Sequence, residues 1–357
     1  MSTGLSEDDR QQVRLSVEKF AADHYTFEKR KLFLRDPARS PKALLPAMGE
    51  SGWLAIGVPG EKGGLDGSDS DLGIILEQAG RSLMVEPVLS SAALCAPLLA
   101  ACGGAAADEA LARVLEGQDA VALAHAEPDA GFAAMALETR FDGRALGGRK
   151  AAVLDGGAAD RLLVTARGAD GRTALCLVDA AAKGVTRHTY MSVDERRMAD
   201  IAFDAAPAVL LSADAAGLVA DAVNRALVAA GYEASGAMSA LIDMTAQYLQ
   251  QRHQFGKPLS SFQVLQHRMV DMFVAAEEAR AMLDIAARTR DIADITAAKV
   301  LYARAAKFVA QNAVQMHGGM GMTDELAVSH YFRRLTFLAT LFGDAEHHID
   351  RYVEVAG

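Results

Sequence analysis

The sequence predicts an α+β fold in which two helical regions flank a small β unit. Apolar residues recur at helical spacing from residue 6 to about residue 118, and again from residue 213 to the end. Between them, short apolar runs such as RLLVTAR and TALCLVD are separated by turn-forming pieces such as FDGR and GADG. These observations predict an N-terminal α-helical domain at 1–118, a middle β domain at 119–211 and a C-terminal α-helical domain at 212–357.

Length and charge narrow the classes of function. A chain of 357 residues of which 51% are hydrophobic can bury a sizeable core. Its formal net charge is −10 and no basic run is sustained, which argues against nucleic acid or an anionic membrane as the main partner. We therefore expect the partner to be a small molecule or another protein.

The sequence contains no pattern that predicts secretion or membrane insertion. Its first twenty residues are polar and amphipathic, unlike a secretory signal peptide. The longest apolar stretch, residues 89–107, is interrupted by serines, a proline and a glycine pair, so it predicts buried helices rather than a membrane span. Cys95, Cys102 and Cys176 have neither zinc-site spacing nor an even number, which is typical of reduced thiols in a cytoplasmic protein.

The C-terminal region predicts long, closely packed helices. Stretches such as NRALVAAGYEASGAMSALIDMTAQYLQQR are rich in alanine and glycine, and small side chains let helices approach closely. Faces of this kind are common in four-helix bundles and at subunit interfaces. We expect a bundle, and an oligomer of the chain.

A glycine cluster follows a long helical pattern near the C-terminus, in QMHGGMG at residues 315–321. Glycine lets the backbone approach a ligand, and free N–H groups there can bind an anionic oxygen such as that of a diphosphate. A helix C-cap would explain the same glycines without a ligand. No GxGxxG follows a predicted strand and no GxxxxGK[ST] occurs, so any nucleotide must be bound by another kind of site.

A corner between two helical patterns precedes this cluster, in RHQFGKPL at residues 252–259. Arg252 ends one pattern, and Gly256 and Pro258 turn the chain toward the next helix. A guanidinium can bind a diphosphate, and Phe255 can pack against an adenine. Alternatively, Arg252 only complements the dipole of the helix that it ends.

The stretch LFGDAEHHID, residues 341–350, combines acids with histidines. On a helix beginning near Asp344, the side chains of Asp344, His347 and His348 fall at i, i+3 and i+4, which is adequate for a facial metal triad. Aspartate after Gly343 is also typical of a helix N-cap. The third interpretation is a catalytic carboxylate, and it is favoured over a metal site because no second cluster of ligands is evident in the sequence.

Taken in order, RHQFGKPLSSFQ, QMHGGMG and YFRRLTFLATLFGDAEHHIDR resemble the acyl-CoA dehydrogenase family. The resemblance covers nearly the whole chain, since GWLAIGVPGEKGGLDGSDSDLGIILEQAGRSL is similar to that family's Gly/Pro corner and Glu-bearing helix. It implies an N-terminal helical domain, a small middle β-sandwich or barrel domain and a C-terminal four-helix bundle. It also implies FAD as cofactor, an acyl-CoA substrate, and an electron-transfer flavoprotein as partner.

The resemblance assigns cofactor-binding residues position by position. In the family, a set of residues holds the adenine dinucleotide end of FAD and reaches into a neighbouring subunit. The matching residues here are Arg252, Gln263, Gln315, Met316, His317, Gly318 and Gly319. Phe255 is expected beside the adenine. The neighbour relation makes the homo- or hetero-oligomer, a dimer or tetramer, part of the cofactor site.

The family's middle domain holds the flavin ring through a stretch of the type EP-x-x-GSD. Here the corresponding text is AEPDAGF at residues 126–132, which keeps Glu127 and Pro128 but lacks the serine and the residues after it. The resemblance therefore assigns Glu127 to the flavin.

The family's base is a glutamate just before the last helix, and counting back from Ile349 to Arg351 places Asp344 at that position. Its carboxylate is expected to remove the proton α to the thioester carbonyl while the β hydride passes to the flavin. Aspartate is one methylene shorter, about 1.5 Å of reach, and a misplacement of that size can cost on the order of 10²-fold in rate. Some family members carry the base on an earlier helix, but here NRAL at residues 224–227 offers no carboxylate, and Glu233 lies about two turns away.

The leading hypothesis is an FAD-dependent acyl-CoA dehydrogenase that forms a trans-2-enoyl-CoA, with Asp344 as the base and no catalytic metal. The altered AEPDAGF stretch and the short base suggest an alternative, a low-activity FAD-sharing partner subunit of a heteromeric acyl-CoA dehydrogenase. A third hypothesis is a nitroalkane oxidase-like flavoenzyme, because relatives of that kind use an aspartate base on the same fold.

Overall fold

The computed structural model describes residues 4–35, 42–128, 130–131 and 137–356. Contacts between Cα atoms divide the chain into two compact units. The sheet unit comprises the described residues of Met1–Ser6, Phe33–Leu72 and Val85–Ala226, and the bundle unit comprises those of Glu7–Leu32, Gly73–Met84 and Leu227–Gly357. Each unit draws helices from the N-terminal third of the chain, and the division into three domains stays a prediction.

The N-terminal third is helical, in agreement with its apolar period. Its helices are α1 (Glu7–His24), α2 (Phe27–Arg35), α3 (Leu45–Glu50), α4 (Asp69–Ser82), α5 (Ala96–Cys102) and α6 (Ala105–Leu115), with a π-helical segment at Val88–Cys95 before α5. This segment and the first half of α5 are buried, as the interrupted apolar stretch predicts. None of the helices in the described ranges is long and apolar enough to cross a bilayer.

The middle of the chain forms a sheet within the sheet unit, which has eight strands in the part that the structure describes. They are β1 (Val121–Ala124), β2 (Arg140–Phe141), β3 (Ala145–Val153), β4 (Arg161–Arg167), β5 (Thr173–Asp179), β6 (Val185–Met191), β7 (Arg197–Pro207) and β8 (Val209–Ser212). The order is β6-β7-β3-β2-β4-β5-β8, and β1 pairs in parallel with β4. The predicted GADG turn joins β4 to β5, which pair antiparallel from Arg161 opposite Asp179 to Arg167 opposite Thr173. Inward-facing apolar side chains of these strands form the core of the sheet.

The C-terminal part forms the helical bundle that its sequence predicts. The helices are α7 (Ala216–Gln251), α8 (Gln263–Thr289), α9 (Ile292–His317), α10 (Ala327–Thr340) and α11 (Ala345–Ala356), and a hairpin of β9 (His253–Gln254) and β10 (Lys257–Pro258) follows α7. In the bundle unit, α9 packs against α8, α10 and α11. It begins at the N-cap Asp291, whose carboxylate accepts a hydrogen bond from the N–H of Ala293 at 2.8 Å.

Small residues set the spacing between helices of the bundle unit. A Cβ added at Gly80 of α4 would lie 1.9 Å from the carbonyl oxygen of Glu233, and one added at Gly236 of α7 would lie 1.8 Å from that of Glu77. No side chain fits at either glycine, so the two helix backbones are in contact there. The close packing predicted from the glycine- and alanine-rich sequence is confirmed at these positions.

Candidate active site

The base turn, residues 341–344, joins α10 to α11 and carries Asp344. Oδ1 of Asp344 accepts a hydrogen bond from the N–H of His347 at 2.9 Å, which makes this residue the N-cap of α11, as predicted. The side chain is half-buried, and its Oδ2 accepts no hydrogen bond from any residue in the described part of the chain. One oxygen therefore caps the helix, and the other is available for chemistry.

The backbone of the base turn is strained just before the aspartate. Phe342 has a φ of 59° and Gly343 a φ of 109°. A bulky residue in the left-handed region costs on the order of 1–3 kcal/mol. A Cβ at Gly343 would lie 2.6 Å from Cδ2 of His347 and 2.8 Å from Nε2 of His348, so only glycine fits at this position. The sequence GD before α11 is thus required by both conformation and space.

Two buried basic side chains bind the backbone that leads into Gly343 and Asp344. Lys299 of α9 is fully buried, and its Nζ donates to the carbonyl oxygens of Leu338 at 2.9 Å and Ala339 at 3.1 Å. His348 is also buried, and its Nε2 lies 2.9 Å from the carbonyl oxygen of Phe342. Because a carbonyl oxygen only accepts, Nε2 carries the proton and Nδ1 is the unprotonated nitrogen.

Burial decides the charge of these two side chains. It lowers the pKa of Lys299 to about 7, although the negative charge of Asp344 acts in the opposite direction. Burial lowers the pKa of His348 to about 4; the hydrogen bond to Phe342 opposes this shift, and the positive charge of Lys299 adds to it. His348 is therefore neutral at pH 7.

The metal interpretation of this stretch finds no ligand group among the residues that the structure describes. Of the two ring nitrogens of His348, Nε2 is bonded to a carbonyl oxygen, so only the buried Nδ1 carries a lone pair. Within the described ranges, no group of three His, Cys, Asp or Glu side chains is placed to hold a metal ion.

The carboxylate of Glu233, on the earlier helix, is engaged in a buried ion pair. Glu233 is 1% exposed, and its Oε1 accepts hydrogen bonds from Nε and Nη2 of Arg334 at 2.8 and 2.6 Å. In the NRAL stretch, Arg225 donates to the carboxylate of Asp69 and to the carbonyl oxygen of Gly57. At residues 224–227 α7 thus carries no carboxylate, and the carboxylate of Glu233 is held in a buried ion pair.

The cofactor corner, residues 252–263, presents its predicted cofactor residues to solvent. Arg252 and Gln263 are exposed, and the ring of Phe255 belongs to a residue that is 88% exposed. Phe255 and Gly256 make the two-residue turn between β9 and β10, with φ values of 54° and 80°. The positive φ of Phe255 costs free energy, and its exposed ring contributes little to folding. The stability of the fold therefore does not explain an aromatic residue at this position.

Within the glycine cluster, Gly318 and Gly319 are open, whereas Gly321 and the two residues before Gly318 are buried. Gln315 is exposed, and a Cβ added at Gly318 or Gly319 would meet no atom within 4 Å. Met316 and His317 are 7% and 4% exposed, and burial lowers the pKa of His317. We expect any contact of these two residues with a cofactor to come from their backbone.

Aromatic stacking brings the corner and the cluster together in the bundle unit. The ring of Tyr248, in the last turn of α7, stacks on that of His317 with centroids 4.3 Å apart. The N–H of Arg252 donates to the carbonyl oxygen of Tyr248 at 2.9 Å. The ends of α7 and α9, which carry the predicted adenine-binding residues, are therefore neighbours.

Glu127, the predicted cofactor residue of the sheet unit, is occupied by internal hydrogen bonds. Lys150 donates to its Oε1 at 2.7 Å, and the N–H groups of Glu138 and Thr139 donate to Oε2 and Oε1 at 2.6 and 3.1 Å. Burial raises the pKa of this carboxyl, but these hydrogen bonds outweigh burial and lower it to about 2. Both oxygens are thus bonded to the protein itself.

Sequence reasoning missed Lys150 and Lys299 as parts of these sites. The spacing of Lys299 could have indicated its burial. It lies four residues after Ile295 and three before Tyr302 in α9, on the face of the helix that buries both. A charged residue on the apolar face of a helix must find a buried partner. The identity of that partner, the end of α10, could not be read from the sequence.

Comparisons with known proteins show the family of the chain and agree with its fold. The chain matches the family model of the acyl-CoA dehydrogenase N-terminal domain over residues 7–118, and that of the acyl-CoA dehydrogenase C-terminal domain over residues 218–356. The chain belongs to the acyl-CoA dehydrogenase family. This acyl-CoA dehydrogenase is similar to acyl-CoA dehydrogenase IpdE2 of Mycobacterium tuberculosis, with 30% identity over 285 residues that cover 79% of this chain and 76% of that protein.

Solved acyl-CoA dehydrogenase structures share its fold over the whole length. A Tcur3481-Tcur3483 steroid ACAD, G363A variant, has a TM-score of 0.89 and 25% identity, and 98% of each chain is covered. A glutaryl-CoA dehydrogenase from Mycobacterium smegmatis in complex with FADH2 has a TM-score of 0.89 and 22% identity, covering 99% of this chain and 95% of that one.

FAD is the cofactor of the acyl-CoA dehydrogenase family, and the open residues of the bundle unit fit its adenine dinucleotide end. Exposed Arg252 offers a cation for the diphosphate, exposed Phe255 a ring face for the adenine, and open Gly318 and Gly319 a backbone without obstructing side chains. Of the AEPDAGF stretch, Asp129 and Phe132 lie outside the described residues.

Proposed function

We propose that this acyl-CoA dehydrogenase oxidises an acyl-CoA thioester to the trans-2-enoyl-CoA, with Asp344 as the base. The observation that carries the proposal is the base turn. Oδ1 of Asp344 caps α11 and thereby orients the carboxylate, while Oδ2 accepts no hydrogen bond from the described residues. A carboxylate oriented in this way can accept a proton without first losing a protein partner.

The residues of this chain supply proton transfer and binding. Asp344 removes the proton α to the thioester carbonyl, and the electron pair left behind moves toward the carbonyl oxygen as an enolate. When bound, FAD accepts the β hydride, and removal of the two hydrogens from opposite faces produces the trans double bond. Arg252 and the open backbone at Gly318 and Gly319 would hold the diphosphate, and Phe255 would pack on the adenine.

The test is acyl-CoA-dependent bleaching of the flavin in the purified holoprotein under anaerobic conditions. We expect Asp344→Asn to lower the reduction rate constant by about 10²–10⁴-fold, the range that general-base catalysis contributes. The matched control is Asp350→Asn, because Asp350 lies on the same helix and is exposed. Unchanged reduction in Asp344→Asn across a panel of acyl-CoA esters would contradict the assignment of the base.

A second candidate, a partner subunit that shares FAD with a sister chain, is favoured by Glu127. Its two oxygens are bonded to Lys150 and to backbone N–H groups, so they are not available to a flavin unless that ion pair opens. The protein should then be colourless when expressed alone and yellow when expressed with its sister chain. A yellow protein that acyl-CoA reduces without another chain would contradict this candidate.

We also propose that α8 faces another subunit. Apolar side chains on this helix, between 37% and 65% exposed, are Val264, Val270, Phe273, Val274 and Ile285. So many exposed apolar side chains on one helix are typical of an interface. Sedimentation of the holoprotein should give a dimer or a tetramer.

The proposed electron acceptor is an electron-transfer flavoprotein. Reduction of an added electron-transfer flavoprotein by acyl-CoA, in the presence of this enzyme, tests this proposal.

The proposed location is the cytoplasm, where the three free cysteines stay reduced.

A further inference from the structure

The base turn combines several features that each lower stability. Phe342 has a positive φ of 59°, and the amino group of Lys299 is removed from water by burial. Nδ1 of His348 is buried and finds no hydrogen-bond partner among the described residues. An unsatisfied buried nitrogen and a buried cation without a hydrogen-bonded carboxylate are both unfavourable relative to apolar side chains of similar size.

Several unfavourable features in one turn indicate that its side chains have a role other than stabilising the fold. Local rules of folding are broken mainly where function requires it. An apolar residue at position 299 or 348 would remove the desolvation of Lys299 and the orphan nitrogen of His348. What these side chains provide instead is a set of hydrogen bonds to the backbone of the base turn.

Lys299 holds the C-terminal end of α10. The last carbonyl groups of a helix have no partner within the helix, and Lys299 donates to two of them, those of Leu338 and Ala339. A cation at a helix C-terminus is also favoured by the helix dipole. The segment that enters the base turn is therefore tied to α9, which lies in the centre of the bundle unit.

His348 binds the base turn closer to Asp344 than Lys299 does. It belongs to the first turn of α11, and it donates to the carbonyl oxygen of Phe342, two residues before Asp344. His347 completes the arrangement, because its N–H binds Oδ1 of the aspartate. Between Ala339, which Lys299 binds, and Phe342, which His348 binds, lie only two residues, so the path of the chain to Asp344 has little freedom.

We propose that Lys299 and His348 are positioning residues that place the carboxylate of Asp344 for proton abstraction. This inference rests on the proposed role of Asp344 as the base. A short aspartate side chain reaches less far than a glutamate, so its reach depends on the position of its own backbone. The two buried side chains, one from α9 and one from α11, bind the backbone that leads into Asp344.

The first test compares Lys299→Met with Lys307→Met, an exposed lysine of the same helix, as the matched control. In Lys299→Met we expect flavin reduction by acyl-CoA to slow by about 10²-fold while KM for acyl-CoA changes by less than about threefold. The amides of Leu341 and Gly343, which are bonded to the carbonyls of Phe337 and Thr340, should exchange with solvent deuterium at least about tenfold faster. Lys307→Met should change neither.

The second test uses His348→Leu, which keeps the proposal testable if Lys299→Met does not fold. Leucine removes the orphan Nδ1 as well as the hydrogen bond to Phe342, so the unfolding midpoint should stay close to that of the wild type. The reduction rate constant should nevertheless fall by about tenfold or more, and exchange at Gly343 should accelerate. Loss of rate without loss of stability separates positioning from a structural role.

Wild-type rates together with unchanged exchange at Leu341 and Gly343, in whichever of these variants folds, would overturn the proposal. Failure of the base assignment is distinguishable from this. If the wild type is not reduced by any acyl-CoA, or Asp344→Asn retains full activity, the proposed function fails. The exchange measurements then still decide whether Lys299 and His348 fix the base turn.

Discussion

The base turn, residues 341–344, is held by buried side chains, whereas the cofactor corner, residues 252–263, is open to solvent. Both contain a residue with a positive φ, Phe342 in the turn and Phe255 in the corner. Around the turn, Lys299 and His348 satisfy the backbone from inside the protein. Around the corner, Arg252 and Phe255 are exposed. The carboxylate proposed as the base thus lies on a turn that the chain itself holds, while the groups predicted to bind FAD are open to solvent.

Glu127 resembles the base turn rather than the corner, although the sequence assigned it to the cofactor. Its carboxylate is buried and bonded to Lys150. Mutations in closed regions should therefore change stability or the rate of chemistry, and mutations in the open corner should change cofactor affinity alone. Three substitutions test this distinction.

The largest effect is expected for Glu127→Gln, which leaves the Lys150 ammonium buried without a charged partner. We expect the free energy of unfolding at pH 7 to fall by about 3–5 kcal/mol, measured by urea denaturation of the apoprotein. Because the folded pKa of Glu127 is about 2 and its ordinary value is 4.5, its contribution is present above about pH 4.5 and is lost as pH falls toward 2. The difference between wild type and variant should shrink over that window. A variant as stable as the wild type but unable to bind FAD would show that Glu127 is a cofactor residue after all.

A smaller effect is expected for Gly343→Ala in the base turn. A methyl group there meets His347 and His348 at 2.6–2.8 Å on a backbone with a φ of 109°, so the turn must move. We expect flavin reduction to slow by about 10²-fold. The control is Gly217→Ala in the first turn of α7, where the methyl group meets nothing within 4 Å. Equal rates for the two variants would mean that the position of this turn does not limit the reaction.

The smallest effect is expected for Phe255→Asn in the cofactor corner. Asparagine tolerates a positive φ, and Asn-Gly is the favoured pair in a two-residue turn, so stability should be unchanged or higher by up to about 1 kcal/mol. FAD affinity, measured by titration of the apoprotein, should fall by about tenfold because the aromatic face is lost. Unchanged affinity would remove Phe255 from the proposed adenine site.

Several features of the site were predictable because they depend on local sequence. Gly343 followed by Asp344 predicts a turn into an N-capped helix, and the hydrogen bond to His347 confirms it. Gly236 lies in the alanine-rich stretch that predicts close helix contacts, and a Cβ added there would lie 1.8 Å from the carbonyl oxygen of Glu77. Glu233 illustrates the limit, since nothing in α7 indicates that its carboxylate binds Arg334, one hundred and one residues later.

The sequence by itself determined the α-β-α order of elements, the cap at Asp344 and the family, because apolar period, turn residues and short motifs are local properties of the chain. Only the tertiary structure decided which polar side chains lose access to water. It placed Lys299 at the end of α10 and Lys150 against Glu127, and it left Arg252 and Phe255 exposed. Burial and pairing depend on residues distant in sequence, so the division between positioning groups and ligand-binding groups appears only when the chain is folded.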